Sequence, residues 1–411
     1  MGVASGVASG VFLLLLAYAT GIRLAHEWLV YALPVAGIGI GLVYERWGAA
    51  IKGGNNLVLD TIHEDSAQLP LRMAPMVLIG TVLTHVFGGS AGREGTALQM
   101  GASLADAIAH RFKVSPETRR QLLAAGIAGG FGSVFGTPIA GTLFGLEVVS
   151  VGFLEYDAVV PALVASLVGN FVTLRFGVVH TAYPQIAYLE LTPLVLGKLS
   201  FVAGAMALTA VAFVELTHRL KHVLEARFSR LPVRMFVGGL AIVVMWKLVG
   251  TNDYLGLGVP MIERAFTDPH LPWFAFAVKL VFTAVTLAAG FVGGEVTPLF
   301  FVGATLGSVL ARVLGLPIEL GAGLGVAAIF GAAANTPIAL SIMAVELLGG
   351  HAFPHVLVVS VLAYVLSGHR GIYPSQRLRR RKQGGAPFRR AVPLREYRDS
   401  LTVHADDDPD S

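Results

Sequence analysis

The sequence predicts an all-α polytopic membrane protein made of two halves of inverted topology, and three observations carry that prediction. Of 411 residues, 55% are apolar and only 14% charged, whereas an ordinary soluble domain carries about 25% charged residues. Too little charge remains to coat a globule, so lipid is the solvent for most of the chain. Apolar runs at residues 11–19, 77–83, 202–214 and 278–292 recur along the length, and a membrane-spanning helix needs roughly 20 mostly apolar residues. Finally, a long motif occurs twice. Residues 126–147 read GIAGGFGSVFGTPIAGTLFGLE and residues 325–346 read GVAAIFGAAANTPIALSIMAVE, sharing Phe-Gly, Thr-Pro-Ile-Ala and a closing glutamate at a constant offset of 199.

The runs are apolar on every face and interrupted by Gly and Pro, which argues against a β-barrel, whose strands alternate in polarity. The composition also excludes disorder and nucleic-acid binding. No basic stretch or small-residue cleavage site accompanies the run at 11–19, so it is expected to be a retained helix and not a signal peptide. With no cysteine, disulfides, thiolate metal sites and cysteine nucleophiles are excluded. The 12 histidines, His63, His85 and His110 among them, lack a His-Glu-x-x-His spacing, and no metal site or cofactor is expected.

Three basic clusters set the expected orientation. They are Arg111, Lys113, Arg119 and Arg120; Arg219, Lys221, Arg227, Arg230 and Arg234; and Arg377, Arg379, Arg380, Arg381 and Lys382 with Arg389 and Arg390. Lys and Arg accumulate on the cytoplasmic side of spanning helices, so all three are assigned there. The expected organisation is a first transmembrane half at 1–217, a cytoplasmic linker at 218–235, a second half at 236–375 and a tail at 376–411. The tail turns Arg-rich and ends on Asp406, Asp407 and Asp408; it is expected to be short, solvated and cytoplasmic, without a regulatory domain.

A second match lies upstream of the repeated motif, with Gly92, Gly101, Ala102 and Leu104 against Gly294, Gly303, Ala304 and Leu306 at an offset of 202. The flanks differ in charge: four basic residues lie between Gly101 and Gly126, but only Arg312, offset by Glu319, lies between Gly303 and Gly325. Opposite orientations of the halves account for that asymmetry. Inverted repeats with Gly- and Pro-broken segments at matching positions are the pattern of transporters that bind substrate where the breaks meet. A duplication kept only for packing is the alternative.

Four glutamates fall in or beside these breaks, and a charge in hydrocarbon costs about 2.5 to 3.5 kcal/mol on insertion scales. Glu94 lies in Gly88-Gly89-Ser90-Ala91-Gly92-Arg93-Glu94-Gly95-Thr96, too glycine-rich for a helix interior and followed by a helical run. This reads as a helix N-terminus at membrane depth, where free N–H groups attract an anion and a carboxylate can take the anion's place until it is protonated. An ordinary first-turn acid paired with Arg93 is the plainer reading. The matching break is Gly293-Gly294-Glu295-Val296-Thr297-Pro298, with the proline suited to a first helical turn. The amides of Glu295, Val296 and Thr297 are expected in the same cavity, with Glu295 a functional acid or one member of a buried ion pair. Glu147 and Glu346 share one repeat position and are expected to serve the scaffold by bonding loop amides. Asn55 and Asn56 form a third polar break whose amides suit an anion, or a plain turn. Ser90 with His85, or Ser133, raises an intramembrane hydrolase, but nothing orients such a pair and Gly-x-Ser-x-Gly is absent.

At Gly92-Arg93-Glu94-Gly95, at Gly294-Glu295-Val296-Thr297-Pro298 and at Tyr373 of Gly371-Ile372-Tyr373-Pro374, the chain resembles the CLC family of chloride channels and proton-coupled anion antiporters, over about residues 10–376. The resemblance implies a homodimer with one anion path per subunit, built of tilted, partly broken helices. It implies that Glu94 is the gate and proton carrier, that the amides of Glu295 and Val296 line the path beside Gly92, Arg93 and Gly95, and that Tyr373 closes the inner end. Chloride-handling members usually carry Gly-Ser-Gly-Ile-Pro where this chain has Gly54-Asn55-Asn56-Leu57-Val58, and proline where it has Thr96. Most proton-coupled members place an inner glutamate where Val148 stands. These departures resemble the bacterial fluoride-exporting clade, which implies fluoride/proton antiport in the inner membrane and fluoride resistance. Glu295 and Thr297 are then candidates for the inner proton relay. A chloride/proton antiporter or chloride channel with altered motifs is the alternative. Fluoride is small and strongly hydrated, so its site must offer many hydrogen bonds, which amides and Asn or Thr donors supply.

Overall fold

The computed structural model describes residues 1–64, 68–382, 384 and 387–406, the last six as backbone only. Asp407 and Asp408 of the acidic terminus lie outside them. Among the described residues, eight α-helices lie before residue 193. In chain order these are α1 (Gly2–Ala25), α2 (Leu33–Trp47), α3 (Asn55–His63), α4 (Met73–Val86), α5 (Glu94–Arg111), α6 (Pro116–Phe135), α7 (Pro138–Glu147) and α8 (Val159–Arg175). Eight more follow: α9 (Pro193–Arg227), α10 (Leu231–Val249), α11 (Val259–Ala265), α12 (Ala275–Ala288), α13 (Val296–Leu314), α14 (Ile318–Ala334), α15 (Pro337–Leu348) and α16 (Phe353–Leu366). Among the described residues, six helical segments are long and apolar enough to cross a membrane. Others, such as α4, α7 and α12, are short, as expected where Gly and Pro interrupt the backbone pattern.

The halves pack as an inverted pair. The matching glycines Gly92 and Gly294 form an antiparallel bridge and exchange both backbone bonds, at 2.6 and 2.8 Å. Equivalent residues bonded to each other with opposed chain directions place the pseudo-two-fold through this point. Within each half the same close crossing recurs. A Cβ on Gly101 would lie 2.1 Å from the Gly126 oxygen, and one on Gly303 would lie 2.1 Å from the Gly325 oxygen, so only glycine lets α5 meet α6 and α13 meet α14 this closely. The core at the join is aromatic: Phe131 of α6 stacks on Phe144 of α7 at 4.1 Å, and Phe330 of α14 lies 5.9 Å from both Phe144 and Phe300.

Two expectations are corrected. The stretch 218–235 is not a separate linker, because α9 continues to Arg227 and α10 begins at Leu231. Nor is the tail simply solvated. Strands β1 (Ser150–Val151), β2 (Arg377–Leu378) and β3 (Val392–Pro393) form one small sheet, with β1 and β2 parallel and β2 and β3 antiparallel, and α17 (Leu394–Asp406) follows. Val151, Leu378, Leu394 and Tyr397 bury one another, and Arg377 and Arg395 pair with Glu64 and Asp60 near the end of α3. A few apolar side chains among many arginines suffice to dock the segment.

Candidate functional site

The site is built where two broken backbones meet head to head. At Gly92-Arg93 the chain enters α5, and at Gly294-Glu295 it enters α13, so two helix N-termini, whose first amides have no partner within their own helix, converge beside the glycine bridge. Pro298 at the third position of α13 has no N–H, which leaves the amides of Val296 and Thr297 as that helix's free first-turn donors.

Glu94 occupies this point and is 1% exposed. Its Oε2 accepts from the Arg93 amide at 3.1 Å and from the Thr297 amide at 3.2 Å, and its Oε1 accepts the Thr297 hydroxyl. The Arg93 guanidinium lies 3.4 Å away. A carboxylate of the first half therefore caps the helix of the second, the position an anion would favour. Charge-assisted bonds of this kind are roughly twice as strong as neutral ones, and protonating the carboxyl removes both the charge and the attraction of the helix dipole.

Glu295 is the N-cap residue of α13, yet its Oε2 is buried without a hydrogen-bond partner among the described residues, as is the hydroxyl of Tyr373. Both stand within electrostatic range of Glu94, and Tyr373 within range of Glu295. Leaving a buried polar atom unpaired costs about 1 to 3 kcal/mol. Asn55 is buried on the same side: its Oδ1 accepts from Gln99 Nε2 at 3.0 Å, and its Nδ2 lies 3.0 Å from where a side chain on Gly95 would begin. Thr96 pairs with Thr81 of α4 at 2.6 Å. At the mouth, Arg93, Tyr183, Phe300 and Thr297 line a cavity of about 20 Å³, close to the room one water needs.

Gly92, Arg93, Glu94, Gly95, Asn55, Glu295, Val296 and Thr297 are thus brought together, with Tyr373 beside them. Asn56 is not. Its Oδ1 accepts from the Ser375 amide at 3.1 Å, and it lines a separate cavity of about 530 Å³ with His218, Lys221, Arg395 and Arg398. Glu147 and Glu346 also stand apart, in a reciprocal arrangement. Glu147 accepts from the amides of Ile338 and Ala339 at 3.2 and 2.8 Å, while Glu346 accepts from Ile139 and Ala140 at 3.0 and 2.8 Å. Each carboxylate caps the first turn of the helix in the other half. The Val148 side chain is fully buried, and its carbonyl accepts from Gln376.

The hydrolase alternative fails on geometry. Ser90 Oγ faces Thr283 at 3.0 Å, and both ring nitrogens of His85 are engaged by the Thr81 and Ala91 carbonyls. Sequence reasoning missed Gln99, although it follows Gly95 by one helical turn and so shares its face. It also missed Tyr183, which comes from an irregular segment with no pattern to reveal it.

Four similarities bear on this arrangement, the last on the fold alone. The sequence pattern of the family described as voltage gated chloride channel matches residues 36–368. A chloride/fluoride channel protein of Pseudomonas syringae pv. tomato is 47% identical over 383 residues, which cover 91% of this chain and 84% of that protein. The crystal structure of a CLC-type fluoride/proton antiporter superposes with a TM-score of 0.89 at 35% identity, covering 92% of this chain and 95% of the other. A slow cyanobacterial Cl⁻/H⁺ antiporter, at 19% identity and a TM-score of 0.77 over 89% and 92% of the chains, shares the fold.

Proposed function

This chain belongs to the voltage gated chloride channel family, whose members are multi-pass anion transporters and not enzymes, and from that premise we propose that it exports fluoride in exchange for protons. The observation that carries this reading is the carboxylate of Glu94 seated on the N-terminus of α13, held by the amide and hydroxyl of Thr297. A group that competes with an anion for its site, and leaves when protonated, links the two ions without any further device.

In this reading Glu94 is the gate and proton carrier. A proton on Glu94 frees the Thr297 amide and hydroxyl, and fluoride takes their bonds together with those of the Val296 amide and the Asn55 carboxamide. The small outer cavity and the donors around it suit an ion that gives up its hydration only for several short bonds. Tyr373 closes the opposite end, Glu295 with Thr297 passes the proton onward where Val148 offers no carboxylate, and Glu147 and Glu346 hold the halves in register. The basic ends of α5 and α9 with the tail face the cytoplasm, in the inner membrane. The protein works as a homodimer with one path in each subunit.

The test is ion flux from liposomes holding purified protein, with fluoride and chloride compared while internal pH is followed. The expected result is fluoride efflux coupled to proton uptake, with chloride nearly inert. Chloride moving as fast as fluoride would favour the second reading, a chloride/proton antiporter or channel, which the name of the Pseudomonas syringae relative keeps open.

A further inference from the structure

One face of α12 carries three polar side chains in a row. Lys279, Thr283 and Thr286 stand at spacings of four and three, so they project from the same side of the helix, and all three are fully buried. Two of them bond directly to the segment that leads into Glu94, and Lys279 bonds to a turn that is itself bonded to that segment. Lys279 Nζ donates to the carbonyls of Tyr254 and Gly256 at 3.1 and 2.7 Å, and the Gly256 amide donates to the Gly89 carbonyl at 3.2 Å. Thr283 Oγ1 pairs with Ser90 Oγ at 3.0 Å, and Thr286 Oγ1 accepts from the Ser90 amide at 3.1 Å. The Lys279 amine also sits over the ring of Phe301, 5.4 Å from its centre and one turn beyond Thr297 on α13. Continuous bonding thus runs from α12 through Gly89 and Ser90 to the Gly92–Gly294 bridge, one residue before Arg93 and two before Glu94.

The repeat shows which part of this is scaffold. Thr283 and Thr286 match Thr81 and Thr84 at the offset of 202, but Lys279 matches Val77. The fold is built in the first half without a lysine there. In the second half an amine is placed in a buried, apolar helix with no acidic partner at salt-bridge distance among the described residues, a costly choice in a membrane. We propose that Lys279, together with Thr283, is a positioning residue for the gate: it clamps the 254–256 turn against residues 89–90 and so fixes where the Glu94 carboxylate lies relative to Thr297. The proposal rests on the reading of Glu94 as gate. A loosened clamp lets Glu94 leave the α13 N-terminus without taking up a proton, and the ions then slip past one another.

The readout is the number of fluoride ions moved per proton in reconstituted liposomes, which a loss of stability alone does not alter. Lys279→Met is expected to raise that ratio at least about threefold, Thr283→Val and Ser90→Ala to raise it less, and Lys279→Arg to restore part of the coupling. In a Glu94→Ala background Lys279→Met should add nothing, since it acts through Glu94. An unchanged ratio in folded Lys279→Met and Thr283→Val would overturn the proposal. If Lys279→Met does not fold, Thr283→Val and Ser90→Ala decide by the same criterion. A Glu94→Ala protein that stays coupled would instead overturn the gate reading itself, which separates the two failures.

Discussion

At matching positions of the two repeats, Arg93-Glu94 in the first half stands where Glu295-Val296 stands in the second, while the residue before each pair is glycine in both. The glycines bond to each other across the pseudo-two-fold. Beyond them the halves part: the first sends a carboxylate onto the second half's helix, and the second offers amides, a threonine hydroxyl and an acid with one oxygen, Oε2, that has no hydrogen-bond partner among the described residues. Elsewhere the halves are alike, in the Gly101 and Gly303 crossings and in the Glu147 and Glu346 caps. A duplicated chain keeps its symmetry where it serves packing and gives it up at the paired breaks, where on the proposed function one path needs one gate. Lys279 against Val77 follows the same rule.

The sharpest way to break this comparison is at Glu94. Glu94→Ala leaves the α13 amides free for an anion at all times, so proton uptake should fall to the level of protein-free liposomes while fluoride still moves. Fluoride-driven proton uptake that survives in this variant would remove the distinction between the two breaks. Next in size is Glu295→Gln, which keeps the shape and hydrogen-bonding groups but cannot cycle a proton. Proton flux is expected to drop by about tenfold, the effect of about 1.4 kcal/mol on a barrier, and equal fluoride and proton rates to wild type would show that the second acid is structural.

The two scaffold glutamates sharpen the comparison from the other side. Glu147→Ala and Glu346→Ala each strand two first-turn amides, so each should cost about 1 to 2 kcal/mol, with both melting temperatures lowered by similar amounts. Because the caps are reciprocal, the fluoride-to-proton ratio should stay at the wild-type value in both. A large inequality between them would mean that one cap has been recruited to the path.

Most of this architecture was legible because it is written in spacing. The repeat offsets, the two broken segments and Glu94 at a helix start all follow from local pattern, and local pattern is what a membrane helix must obey. What stayed hidden depends on contact between distant residues. That Glu147 caps α15 and Glu346 caps α7 is visible only once the halves are superposed, because the same sequence would also allow each to cap its own half. Asn55 and Asn56 are neighbours in one helical turn, so their side chains point about 100° apart; one faces Gly95 and the other Ser375. The docked tail was hidden for a different reason. Leu378, Leu394 and Tyr397 are too sparse among the arginines to form an apolar run, yet they are enough when β1 offers them an edge and Val151.

That tail has no counterpart in the first half, and it provides the mildest test of the asymmetry. Lys382 donates its amide to His369 Nε2 at 3.0 Å, and the His369 ring lies 4.9 Å from that of Tyr397 in α17. A protonated ring cannot accept this bond. Burial, with Lys382 and Arg381 nearby, holds the His369 pKa below its ordinary 6.5. The docked state therefore binds fewer protons than the undocked one, and its stability rises with pH. The contribution of His369 is complete above about pH 6.5 and is lost as pH falls from there through the lowered value of the docked ring. Hydrogen exchange at the amides of residues 377–400 should accordingly quicken modestly between pH 7.5 and 5.5, after correction for intrinsic rates, while amides in α5 and α13 do not change. His369→Gln, which has no proton to gain in that range, should flatten the response. A tail that loosens equally in the variant would assign the effect to Lys382 instead, whose amine burial holds down to about 7, so that it also gains its proton in this range at the expense of docking.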